Sequence, residues 1–101
     1  MLDDKKINKL KSRLHNHTED IVMQTLKDLL KREEFSNVSD SEEALLDMAT
    51  YALNRLAPKY VATEKGEVYT KTEELEQQHS VDILSVVTKA IKVVSEDQNN
   101  N

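Results

Sequence analysis

Residues 52–70 read Ala52-Leu53-Asn54-Arg55-Leu56-Ala57-Pro58-Lys59-Tyr60-Val61-Ala62-Thr63-Glu64-Lys65-Gly66-Glu67-Val68-Tyr69-Thr70 and contain the only proline and the only glycine of the chain. Proline lacks an N–H and disfavours helical geometry at the residue before it, so the preceding helix is predicted to stop near Leu56. Gly66 marks a turn, and Tyr60, Val61 and Thr63 favour extended backbone between the two breakers. Strong helical patterns flank this break on both sides. The chain therefore reads as a mainly α domain of three to four helices, with a short extended and turning segment between the second and third main helices. Asn54, Arg55, Lys59, Thr63, Glu64, Lys65 and Tyr69 crowd polar chemistry into that segment, which makes it the candidate site; a merely solvated connection is the competing reading.

Immediately upstream, Ala44, Leu45, Met48, Ala52, Leu53 and Leu56 repeat at three- and four-residue spacing, predicting an amphipathic helix from about Ser41 to Leu56. The loop Phe35-Ser36-Asn37-Val38-Ser39-Asp40 precedes it, and Ser39 with Glu42 fits a capping box. Further upstream, Asn16 followed by Glu19 resembles a helix start, and Val22, Leu26, Leu29 and Leu30 share one face of a helix expected to run to about Glu34. His15 and His17 lie on different faces of such a helix and have no local acidic or histidine partner suited to a metal, so capping and surface roles are expected instead.

The first fourteen residues form a basic amphipathic arm: Ile7, Leu10 and Leu14 make one thin stripe, and Lys5, Lys6, Lys9, Lys11 and Arg13 outweigh Asp3 and Asp4. The stripe is too narrow for firm membrane binding and is expected to pack on its own domain or on a dimer mate. Downstream, Thr72-Glu73-Glu74-Leu75 starts a last helix. Its face through Ile83, Val87, Ile91 and Val94 is wider than a three-helix monomer needs, which suggests a second surface buried in a homodimer. His79 near this face is expected to be packed and hydrogen-bonded. Residues 15–96 form the helical domain, and residues 97–101 read as a disordered polar tail.

A chain of 101 residues is one domain, and its net charge of −5 argues against direct DNA binding. It has no cysteine for a disulfide or thiolate site, no apolar run long enough for a membrane span and no signal-peptide core, so a cytoplasmic protein is expected. No catalytic constellation and no glycine-rich phosphate loop appear. Although Asp47 or Glu64 offers a base, no nucleophile accompanies it, so no enzyme activity and no cofactor are expected.

The segment from His15 through Val22, Asp47, Ala52 through Val61, Glu64-Lys65-Gly66, Tyr69-Thr70 and Val81-Asp82-Ile83-Leu84 resemble the late competence development ComFB family, over roughly residues 14–96. The Leu-Asn-Arg-Leu-x-Pro-x-Tyr-Val core carries most of the specificity. The resemblance implies a small, dimeric, cytoplasmic bacterial protein that binds cyclic dinucleotides, chiefly cyclic di-GMP with cyclic di-AMP as an alternative, in signalling of competence, motility and surface behaviour. Many members carry Cys-x-Cys-x-x-Cys before the second helix, expected to bind a metal. Counted back from Asp47, this chain has Ser39, Ser41 and Ala44 there, so no zinc is expected at that place.

Such a ligand offers phosphates, guanine edges and π faces. Arg55 suits a guanine edge or a phosphate, Glu64 the guanine N–H groups, Lys59, Lys65 and Thr63 the phosphates, and Tyr60 or Tyr69 a base face. The competing roles are specific: Arg55 capping its own helix, Asn54 bonding the turn, Tyr60 packing in the core. A protein–protein adaptor working through the last helix and the basic arm is the second function class.

Overall fold

The three longest helices pack in pairs around one aliphatic core. In chain order the elements are α1 (Asp4–Arg13), β1 (His15–Asn16), α2 (His17–Leu30), a 3-10 turn (Glu33–Phe35), α3 (Glu42–Leu53), β2 (Tyr60–Val61) and α4 (Leu75–Asn99). The computed structural model describes the backbone of residues 1–62 and 75–99 and the side chains of residues 1–62 and 82–97. Thr63, Glu64, Lys65, Tyr69, the Gly66 turn, the helix start at Thr72 and the His79 side chain lie outside the described residues. The mainly helical class follows the sequence prediction.

The core draws Val22, Leu26 and Leu29 from α2, Ala44, Met48 and Ala52 from α3, and Ile83, Val87, Ala90, Ile91 and Val94 from α4, with Phe35 among them. Alanines at 44, 49 and 52 keep the buried side of α3 slim, which suits close packing of its neighbours. The wide apolar face of α4 has a different use from the one its width suggested. Ile83, Val87 and Ile91 are sealed inside the chain itself, because α4 packs against both α2 and α3 and so needs a face broad enough for two neighbours. This face is not a free dimer surface.

Helix ends also differ from the sequence reading. Ser41, not Ser39, caps α3: its backbone is extended and its Oγ accepts from the Ala44 N–H at 3.2 Å. Ser39 instead accepts from the Ser41 N–H at 3.3 Å, bracing the cap from outside. Helix α2 ends at Leu30 and the chain tightens into the 3-10 turn that seats Phe35, so Glu34 falls outside the helix. Helix α3 closes at Leu53, one turn earlier than Pro58 alone demands. Helix α4 runs through Asn99, so residues 97–99 are helical rather than part of an irregular tail. Helix α1 is capped by Asp3, whose carboxylate accepts from the Lys6 N–H at 2.8 Å, yet none of its residues is buried.

The α4 burial gives a direct test. Val87→Asp places an unpaired charge in a site that is 1% exposed, and should cost about 3 kcal/mol or more. The expected result is loss of the cooperative thermal transition followed by circular dichroism; a folded variant altered only in association would return this face to a dimer interface.

Candidate functional site: a latch between the second helix and the segment around Pro58

The N-terminus of α2 begins with N–H groups that the helix itself cannot satisfy. The chain after α3 supplies much of what they need. His15 pairs with Val61 and Asn16 with Tyr60 in an antiparallel ribbon, and the His17 N–H donates to the Lys59 carbonyl at 2.7 Å in the same register. The Asn16 side-chain oxygen accepts twice, from the Thr18 N–H at 3.1 Å and from the Lys59 N–H at 2.9 Å. Thr18, buried at 1% exposure, donates its hydroxyl to the Ala57 carbonyl at 2.9 Å. Asn16 thus caps a helix and holds a loop with a single oxygen. The sequence marked Asn16 as a cap; the bonds across to Ala57 and Lys59 lacked any local signal, because their partners lie about forty residues away. His15 Nε2 also contacts the Asp20 carboxylate on the exposed side of this junction.

The candidate residues at the end of α3 are held by bonds of their own. Its last carbonyls are closed by the Asn54 N–H on Thr50 at 3.0 Å, the Arg55 N–H on Ala52 at 3.1 Å, and Arg55 Nη1 on Tyr51 at 2.9 Å. Arg55 therefore does cap its own helix. It also lies over the Tyr51 ring, with Cζ 3.4 Å from the ring centroid, a cation–π contact at the exposed end of the helix. Tyr51 lay outside the candidate residues read from the sequence; its four-residue spacing from Arg55 was the available signal for this contact. Asn54 is exposed at the helix end, Lys59 is half-buried with its backbone in the latch, and Tyr60 is 61% exposed on β2. That exposure excludes the core-packing role considered for Tyr60. Asn54, Arg55, Lys59 and Tyr60 lie within one stretch of the chain, from the end of α3 to β2.

The sequence model described as late competence development protein ComFB matches residues 15–98, nearly all of the domain. The chain belongs to the ComFB family. No curated protein matches it significantly. Membership points to a competence-related role. The match begins at His15, so the latch and the helix end at Arg55 fall inside the family region, and α1 falls outside it. At the positions where the resemblance placed cysteines, Ser41 caps α3 and Ala44 is fully buried. Among the described residues, no group of three or more His, Cys, Asp or Glu side chains is arranged to hold a metal. Among them, too, no helix is long and apolar enough to cross a membrane.

Removing the shared oxygen at Asn16 should loosen the latch. Asn16→Ala loses an N-cap and leaves the part-buried Lys59 N–H without its acceptor, a destabilisation of about 2–3 kcal/mol by denaturant unfolding. Amide exchange at Lys59 should accelerate more than in the core of α3. Asn16→Asp keeps the acceptor and should remain near the parent protein on both measures.

Proposed function

We propose that this ComFB-family protein is a non-enzymatic receptor that binds a cyclic dinucleotide, cyclic di-GMP first and cyclic di-AMP second, and passes the signal to a protein partner in competence, motility or biofilm control. The observation that carries the reading is the exposed Arg55 guanidinium, held over the Tyr51 ring three residues before the latched Pro58-Lys59-Tyr60 segment. One guanidinium nitrogen is committed to the Tyr51 carbonyl. The other donors form a pre-oriented edge for a guanine O6/N7 pair or a phosphate, and little side-chain freedom remains to be lost on binding. Tyr60, exposed nearby in sequence on β2, offers a π face of the kind on which bases stack. In this reading Arg55 and Tyr60 touch the ligand, Tyr51 is a positioning residue, and Asn54, Lys59, Thr63, Glu64, Lys65 and Tyr69 complete the binding segment.

A second reading, an adaptor that works through protein contacts without a nucleotide, is favoured by the exposed apolar stripe of α1. Ligand titration separates the two. A ligand at 100 times its dissociation constant raises stability by about 2.7 kcal/mol, so cyclic di-GMP should shift the melting temperature upward. In calorimetric titration, Arg55→Ala should weaken binding by roughly 10- to 150-fold, the equivalent of about 1.5–3 kcal/mol. Arg55→Lys should fail to restore it, because an ammonium lacks the planar fork. Tyr51→Leu should weaken binding less, through loss of the platform alone. A folded parent protein that shows neither a melting shift nor heat with either dinucleotide would leave the adaptor reading.

A further inference from the structure

We propose that the hollow between α2 and α3, at the far end of α2 from the latch, binds a free medium-chain carboxylate: an unbranched apolar chain with one anionic head. The hollow has a volume of about 370 Å³ and is floored by Met23, Leu26, Leu30 and Leu45. That volume lies at the lower end of the roughly 300–1,000 Å³ of ligand pockets. Lys27, Lys31 and Asp40 complete the lining, and all three are exposed. Leu26 is 3% exposed and belongs to the core, so the floor is fixed. Met23 is 47% exposed, a flexible thioether lip that can close over an apolar chain.

The winding of α2 sets the apolar and charged groups side by side. At 100° per residue, Leu26, Leu30, Met23, Lys27 and Lys31 follow one another across about 140° of the helix, from the buried side outward. Lys27 and Lys31 stand one turn apart, about 6 Å along the axis. Like charges at that spacing repel. Among the described residues neither ammonium belongs to an ion pair. Their place at the end of α2 suits the helix dipole, which accounts for the charge but not for the apolar hollow beside it. One carboxylate set between them answers both ammonium groups while its chain covers Leu30 and Leu45. Asp40, from the loop before α3, brings the three charged groups to a net +1. That balance matches a monoanion and works against a dianion such as phosphate.

A second hollow among the described residues shows the contrast. It has a volume of about 260 Å³, with Phe35, Val38 and Ile91 in its lining and Glu34 and Glu96 opposed by Lys92. Its net charge of −1 repels an anion. The chain as a whole is acidic, at −5, so a cationic margin on an apolar hollow is a local departure from the charge around it. An acidic partner helix would share the chemistry of the carboxylate, but such a helix needs a groove that continues, and α2 ends at Leu30 beside the hollow. One enclosed volume and one net charge fit one chain and one head. The proposal uses no residue of the candidate nucleotide site, so it stands or falls apart from the receptor reading.

The test is calorimetric titration of the full chain with decanoate below its micellar range, beside decanol, hexanoate and inorganic phosphate. Decanoate should bind one to one and at least about tenfold more tightly than hexanoate, because each buried methylene adds to the transfer free energy. Phosphate should give no saturable heat. Lys27→Gln/Lys31→Gln should weaken decanoate about fivefold and leave decanol unchanged. Its melting temperature should match the parent protein's, because both side chains are exposed. Glu34→Gln/Glu96→Gln, at the second hollow, should change neither ligand. The chain has no tryptophan, so Met23→Trp places a single reporter at the hollow, and its emission should shift to the blue as decanoate saturates. No saturable binding of decanoate, a lysine variant that binds it as the parent does, or a reporter that stays silent while heat is released each overturns the proposal. So does a reporter whose emission moves with protein concentration alone, which would give the hollow to a second copy of the chain.

Discussion

The side-chain oxygen of Asn16 is the constraint on which the candidate site depends. It accepts one N–H from the first turn of α2 and one from Lys59, and the two bonds fasten the chain after α3 to the beginning of α2. Pro58 explains why a side chain is needed here. With no N–H of its own, the proline weakens any ladder through this stretch. Thr18 takes up the carbonyl just before it, and Asn16 the N–H just after it. The segment is thus held by polar groups on either side of a residue that cannot hold itself.

The core imposes a complementary arrangement. Small residues on α3 and a broad aliphatic face on α4 let one helix serve two neighbours, so a short chain buries enough apolar surface to set its helices without a disulfide. Helix α1 contributes nothing to this core. It is capped and has no buried residue, and it falls outside the residues that the family model matches.

Helix number, helix faces and the break at Pro58 were legible in the sequence, because periodicity and the absent proline N–H act locally. Helix ends were less legible. Ser39 and Ser41 both offer cap chemistry, and the three-residue spacing from Ser39 to Glu42 looks correct until backbone geometry selects Ser41. The meaning of the wide α4 face could not be read either, since periodicity reports how much surface is buried and not by what. In the candidate site, Arg55, Asn54, Lys59 and Tyr60 were singled out by residue type, whereas the shared oxygen of Asn16 and the buried hydroxyl of Thr18 were not. Their partners are distant in the chain, and a lone threonine on a helix carries no sign of the carbonyl it will meet.

That distance has a consequence for how the surface comes into being. Thr18 and Ala57 are 39 positions apart, and Asn16 and Lys59 are 43. Helices close contacts only a few residues apart and form early, whereas joining such remote points costs chain entropy that only a largely assembled core offsets. The order of assembly therefore runs from helices to core to latch. During synthesis, a chain that has not yet exposed residues 57–60 has every part of α2 and none of the geometry that steadies the segment after Arg55. The surface around the latch is completed last, so only a molecule whose core has assembled presents it.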